Sequence, residues 1–254
     1  QLESALIKAG VPANEASSAA RRRSSNFNSA RDAILLTIAD HLYHYDIRAA
    51  VATRLTNSAG AKREATFSPD GRTVAFVKSN NLYVTAVASP AERPLTTDGN
   101  AGLLNGVLDW VYSEELYGRG IHRGYWWSPD SSSLAFIQLD ETQVPEYTLV
   151  DDIPYRPAIE RWDYPKAGDP NPTARLGIVS TSGDPARWID TSRYVDFLIV
   201  NVGWTPDSLA VIYQIQDRQQ TWLDLNRAER ASGTTSTLLK ETSRTWVERW
   251  QDAS

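Results

Sequence analysis

Three times along the chain an aromatic residue runs through Ser or Thr into Pro-Asp, and an apolar strand follows. Phe67-Ser-Pro-Asp70 precedes Val74-Ala-Phe-Val77, Trp127-Ser-Pro-Asp130 precedes Leu134-Ala-Phe-Ile137, and Trp204-Thr-Pro-Asp207 precedes Leu209-Ala-Val-Ile-Tyr213. Proline at the second turn position presets φ, and the aspartate side chain bonds back to the backbone, so each unit is a tight turn feeding a strand. A second element recurs: Leu42-Tyr43 precedes Arg54-Leu-Thr56, and Leu82-Tyr83 precedes Pro94-Leu-Thr96. Each pair marks a strand, a hairpin loop and an outer strand closing on Leu-Thr; Thr237 to Thr242 reads as a further closing strand. Repeats of short strands at this period specify an all-β fold of the β-propeller type. The repeats make about three to four blades, the low end for a closed ring. The expectation is therefore a partial propeller in a polypeptide that continues past Ser254.

Residues 1–32 read differently, as a helical lead-in to a propeller region spanning 33–254. Leu2, Ala5, Leu6 and Ala9 share one helical face, Gly10 stops the turn, and Pro12 opens a second short helix. The run Arg21-Arg22-Arg23 then suits a helix C-terminus. Two insertions interrupt the blades, Gly106 to Tyr125 and Pro145 to Pro172. Loops on a rigid repeat scaffold are where binding groups are usually placed.

Composition narrows the function classes. A formal net charge of −5 argues against a nucleic-acid polyanion as partner. No apolar run reaches the ~18 residues a membrane span needs. The absence of cysteine excludes disulfides and thiolate metal sites. The absence of methionine, with Gln1 first, points to an initiator upstream, alone or within a leader. The expected compartment is soluble, periplasmic or secreted rather than cytoplasmic.

No GxSxG nucleophile motif, HExxH zinc motif, P-loop or GxGxxG is present. The histidines His41, His44 and His122 lack acidic partners at useful spacing. Neither catalytic residues nor a metal or other cofactor is expected within this chain. The candidate site is the acidic pair Glu114-Glu115 in Asp109-Trp-Val-Tyr-Ser-Glu-Glu-Leu-Tyr117. One reading makes Ser113 an N-cap and the glutamates first-turn residues complementing a helix dipole. The other turns both carboxylates into one cavity, where their mutual repulsion is relieved by a cation such as a peptide's α-ammonium group. Trp110, Tyr112 and Tyr117 are the candidate walls. Asp140-Glu141 and Asp151-Asp152 read as solvated turn residues.

The run Leu108 to Tyr117, then Tyr125-Trp-Trp-Ser-Pro-Asp130, then Tyr164-Pro-Lys-Ala-Gly-Asp-Pro-Asn-Pro-Thr173, resembles the N-terminal propeller region of the dipeptidyl peptidase IV family over about Ile34 to Trp246. The resemblance implies an eight-bladed propeller covering a C-terminal α/β-hydrolase domain, which supplies the Ser, Asp and His absent here. It implies a serine exopeptidase releasing N-terminal Xaa-Pro or Xaa-Ala dipeptides, with Glu114 and Glu115 binding the α-ammonium of a peptide substrate. It also implies a homodimer for the full-length protein. An extra glutamate often precedes the pair in this family, and here Ser113 stands in its place. The family's substrate-contacting arginine has Arg31 and Arg21 to Arg23 as nearby candidates. A non-catalytic propeller serving as a binding scaffold is the alternative, and the Pro-Asp turns fit it equally well. An endopeptidase of the prolyl oligopeptidase type has no need of an ammonium clamp, so the Glu pair counts against it.

Overall fold

The computed structural model describes residues 1–22 and 26–250; Arg23 of the basic run lies outside the described residues. Two short helices lead in, α1 (Leu2–Lys8) and α2 (Ala13–Arg21). Gly10 turns between them at φ +89°, a conformation that favours glycine. Leu6, Val11 and Ala16 pack in one apolar cluster with Leu36, Ile38, Tyr43 and Tyr45 of the first sheet.

Among the described residues four antiparallel sheets of three or more strands follow in chain order, with a two-stranded one inserted in the third. The first is β1 (Ala33–Ile38), β2 (His41–Asp46) and β3 (Val51–Arg54); the second is β4 (Arg63–Phe67), β5 (Thr73–Lys78), β6 (Asn81–Ala86) and β7 (Arg93–Pro94). The third begins with β8 (Leu103–Asn105), β9 (Tyr125–Trp127) and β10 (Ser133–Asp140). A two-stranded hairpin, β11 (Glu146–Asp151) and β12 (Ala158–Asp163), interrupts it before β13 (Thr173–Ser180) and β14 (Arg187–Trp188) complete it. The fourth is a meander of β15 (Phe197–Trp204), β16 (Ala210–Asp217), β17 (Trp222–Glu229) and β18 (Thr235–Thr242). Four blade-like sheets agree with the three to four blades expected from the repeats, and the β18 strand contains the Thr237–Thr242 segment read as a closing strand.

The repeats fold as they do because the same bonds recur. The hydroxyls of Ser68, Ser128 and Thr205 donate to the carboxylates of Asp70, Asp130 and Asp207 at 2.6, 2.5 and 2.5 Å. Each aspartate also accepts a backbone N–H two residues on, from Arg72, Ser132 and Leu209. The Leu-Thr closures are equally regular. The backbone N–H of Leu42 donates to Thr56 Oγ1 and that of Leu82 to Thr96 Oγ1, both at 2.9 Å. These local bonds satisfy buried backbone groups where each strand turns.

The turns also link blade to blade. The Asp70 N–H donates to Ser131 Oγ and the Asp130 N–H to Ser208 Oγ, each at 3.0 Å. Arg230 ties the third and fourth sheets through Asp130 at 2.7 Å and Ser132 at 2.5 Å. One apolar core runs through the second, third and fourth sheets, with Val77, Leu134, Phe136, Leu176, Ile199 and Ile215 buried in it.

Close approach fixes one glycine in this core. A Cβ on Gly177 would stand 2.7 Å from Phe136 Cε1 and 3.0 Å from Trp188 Cζ3. Both rings are packed, so neither moves freely. Gly177→Ala is expected to destabilise the protein by about 1–3 kcal/mol, read as a lowered denaturant midpoint with an unchanged m-value.

Among the described residues no helix is long and apolar enough to cross a membrane.

Candidate functional site: an acidic cavity beside a short inserted helix

The first insertion folds into a short helix over Val111–Leu116, wound wide enough that the Tyr117 N–H reaches the carbonyl of Tyr112. Its N-terminal side-chain cap is Asp109 and not Ser113. The N–H groups of Tyr112 and Val111 donate to Asp109 Oδ1 and Oδ2 at 2.9 and 3.1 Å. Ser113 lies inside the helix, buried, with its hydroxyl directed at the Trp110 carbonyl. The register shifts because Asp109 accepts from two orphan N–H groups at once, which a serine in the helix body cannot do.

Two tyrosines bolt this helix to the fourth sheet. Tyr112 is fully buried, its hydroxyl oxygen 3.3 Å from the Ile199 N–H that donates to it. The Tyr117 hydroxyl donates to the Ile199 carbonyl at 3.2 Å. Of the three aromatics expected to wall the site, only Trp110 does so; Tyr112 and Tyr117 are anchors. Burial pushes both phenols well above their usual range.

The glutamates face two different recesses. Glu114 is partly buried and lines a cavity of about 420 Å³, together with Asp109, Trp110, Glu141 and Asp163. Its carboxylate is 3.6 Å from the exposed Arg119 guanidinium. Glu115 is exposed and lines a separate recess of about 330 Å³, with Glu248 and Arg249. Successive residues on a helix point well apart around its axis, so adjacent carboxylates diverge from a shared backbone edge.

The cavity beside Glu114 holds what the sequence did not reveal. Glu141, expected to be a solvated turn residue, is 8% exposed and aimed into the cavity. Its neighbour Asp140 performs the turn instead, accepting from the Thr142 N–H at 2.9 Å and the Thr142 hydroxyl at 2.6 Å. Side chains alternate across a strand end, so fixing Asp140 outward sends Glu141 inward. Desolvation, then the charges of Asp109 and Asp163, push the Glu141 carboxyl up to about 8. Desolvation likewise raises Asp109 to about 6, against the pull of its capping bonds. Asp163 is raised by desolvation and by Glu146. Asp151, in contrast, behaves as a turn residue, capping the Ile153 N–H in an exposed setting.

A second surface adjoins this cavity. Trp110 and Trp162 also border a groove of about 540 Å³ with Tyr147, Tyr164 and Lys166. The Trp110 and Tyr164 ring centroids are 4.3 Å apart, and Lys166 Nζ lies 4.8 Å from the centre of the Tyr147 ring. The Tyr-Pro-Lys-Ala-Gly segment thus packs beside the helix that carries the Glu pair.

The expected arginines lie elsewhere. Arg21, Arg22 and Arg31 are exposed in the N-terminal part and line neither recess. The arginines that do are Arg63 and Arg161 in the first and Arg249 in the second. His122, without an acidic partner in sequence, shares the first cavity with the carboxylates. Among the described residues no group of three or more His, Asp or Glu is spaced to hold a metal ion.

A propeller-type all-β region with a carboxylate-lined cavity on an inserted helix is the class that fold and site define. Within that class, residues 29–254 match the family described as the dipeptidyl peptidase IV (DPP IV) N-terminal region, and the chain belongs to it. It is 34% identical over 183 residues to a protein named probable dipeptidyl peptidase 4 from Aspergillus clavatus, covering 67% of this chain and 23% of that protein. It is 32% identical over 188 residues to dipeptidyl aminopeptidase B of Saccharomyces cerevisiae, covering 70% of this chain and 22% of the yeast protein. The crystal structure of Porphyromonas gingivalis dipeptidyl peptidase 4 superposes with a TM-score of 0.77 at 28% identity, over 87% of this chain and 33% of that one. The chain therefore spans roughly a quarter to a third of the length of the proteins it matches.

Proposed function

We propose that this chain is the substrate-anchoring part of a serine exopeptidase that releases N-terminal dipeptides, with Pro or Ala second. Glu114 and Glu115 hold the α-ammonium of the bound peptide, and a C-terminal hydrolase domain of the same polypeptide supplies the nucleophile and its base. The full-length protein acts as a homodimer in the periplasm or outside the cell. The observation that carries this reading is the placement of the Glu pair on a helix bolted to the fourth sheet by Tyr112 and Tyr117, in a chain of this family.

An ammonium has three N–H donors and so takes two or three acceptors. One carboxylate on each side of a helix edge can embrace a cation docked over that edge, and charge-assisted bonds of this kind are about twice as strong as neutral ones. The Arg119 side chain, exposed and only loosely paired with Glu114, leaves when the ammonium arrives. Fixing the peptide by its terminus sets which bond reaches the nucleophile, and this positioning is itself catalytic.

The test compares Ala-Pro-p-nitroanilide with its N-acetylated form, using the full-length enzyme. Release from the free amine with at least a hundredfold loss on acetylation is the expected result. Equal cleavage of both would remove the ammonium clamp, and cleavage of neither would favour a non-catalytic scaffold.

A further inference from the structure

We infer that the acidic cavity beside Glu114 is a recognition site for a basic side chain, Lys or Arg, on the first residue of the peptide whose ammonium the Glu pair holds. The inference rests on the anchoring proposed above and adds to it a preference among substrates.

Three observations meet here. First, Glu141 is nine-tenths buried, lines the cavity, and has no hydrogen-bond partner for its carboxylate among the described residues. The carboxylate keeps contact with solvent through the cavity, while desolvation penalises its charge, so a cation entering the cavity meets an acid with no protein donor. Second, the cavity's charges are unbalanced. Glu64, Asp109, Glu114, Glu141 and Asp163 face it, against Arg63, Arg161 and the imidazole of His122. Arg161 is paired with Glu146 at 3.5 Å, Arg63 donates to the neutral amide of Asn80 at 2.6 Å and keeps its charge, and the exposed Arg119 pairs with Glu114 at 3.6 Å, so an acidic excess remains. Third, the carboxylates are too dispersed for one metal ion, while Trp110 and Trp162 give the cavity apolar walls. Spread carboxylates beside indole rings suit an extended organic cation, whose methylene stem packs on apolar surface while its head meets the acids.

Glu114 belongs both to the α-ammonium clamp and to this cavity, so a peptide held by its terminus has its first side chain at the cavity's mouth. Asp109 is committed to capping the helix and acts only through its charge. Glu141 and Asp163 are then the groups that meet the incoming cation. A lysine side chain keeps its charge to about pH 10. It therefore enters as a cation and draws Glu141 into the ionised form, releasing a proton.

The experiment measures kcat/KM of the full-length enzyme on Lys-Pro- and norleucine-Pro-p-nitroanilide between pH 6 and 8.5. These substrates share the α-ammonium and stem length, so their ratio cancels the titration of the catalytic groups. A Lys to norleucine ratio of at least ten is expected at pH 8, falling several-fold by pH 6 as Glu141 takes up its proton. Glu141→Gln is expected to lower the ratio about tenfold and flatten its pH dependence. Asp163→Asn, nearer the rim, should lower the ratio while retaining the pH dependence. A ratio near one in the wild type, or one unmoved by both folded variants, overturns this inference and leaves the dipeptidyl reading standing. Release of no dipeptide from any substrate overturns the underlying reading, and this one with it.

Discussion

Replacing either Glu114 or Glu115 by alanine in the full-length enzyme is expected to cut kcat/KM for Ala-Pro-p-nitroanilide by roughly 30- to 1000-fold. Truncating one partner of a desolvated charge pair costs about 2–5 kcal/mol, much of it the penalty of leaving the other charge unpaired. The smaller figure belongs to the exposed Glu115 and the larger to the half-buried Glu114. On the proposed clamp, in which both acceptors serve one cation, the double substitution should cost less than the product of the two. Folding should be untouched: neither carboxylate appears in the bonds of Asp109, Tyr112 and Tyr117 that hold the helix in place. A circular dichroism melt that coincides with wild type separates lost anchoring from lost structure. Wild-type kinetics in Glu115→Ala would show that the recess it lines takes no part in binding, and would reduce the clamp to Glu114 alone.

What the residues disclosed, and what they withheld, follows from the range of the forces involved. The Pro-Asp turns and Leu-Thr closures were legible because their bonds are local: Ser68 to Asp70, and Leu42 to a threonine 14 residues on. The same short reach exposed the Gly10 and Pro12 break between α1 and α2. The serine links between blades were not legible, since Asp130 and Ser208 lie 78 residues apart. The Glu pair could be found in sequence, yet its division between two recesses could not, because that depends on how β12 and the segment around Arg249 pack around the helix. Glu141 was missed for a subtler reason. An Asp-Glu doublet at a strand end looks solvated, and only the capping of Thr142 by Asp140 decides which of the two turns inward. The usable signal was the Asp-x-Thr spacing, which marks Asp140 as the turn residue.

The buried Glu141 should also leave a signature in stability. A carboxyl whose folded pKa is raised, here from 4.5 to about 8, binds more protons folded than unfolded between those values. Stability is then complete below about pH 4.5 and declines as pH rises toward 8. At about 1.4 kcal/mol per pH unit the cost at pH 7 is at most on the order of 3 kcal/mol, reduced by the solvent that reaches the carboxylate. Glutamine keeps the shape and carries no titrating proton, so Glu141→Gln should match wild type near pH 4 and exceed it by up to that amount at pH 7. For a domain of this size the full gain reads as a rise in thermal midpoint of roughly 6 °C or more. Asp109 contributes a loss of the same sign over a narrower window that ends at its folded pKa near 6, but replacing it also removes the helix cap, so Glu141 is the cleaner probe. On the inferred cation site, the instability is the cost of keeping a carboxyl that an incoming cation can ionise. The two measurements on one variant therefore bind together: Glu141→Gln should gain stability at neutral pH and lose its preference for a basic first residue. Equal pH profiles for wild type and variant would mean that the carboxylate finds a donor in solution, and the cavity would lose its claim on a cation.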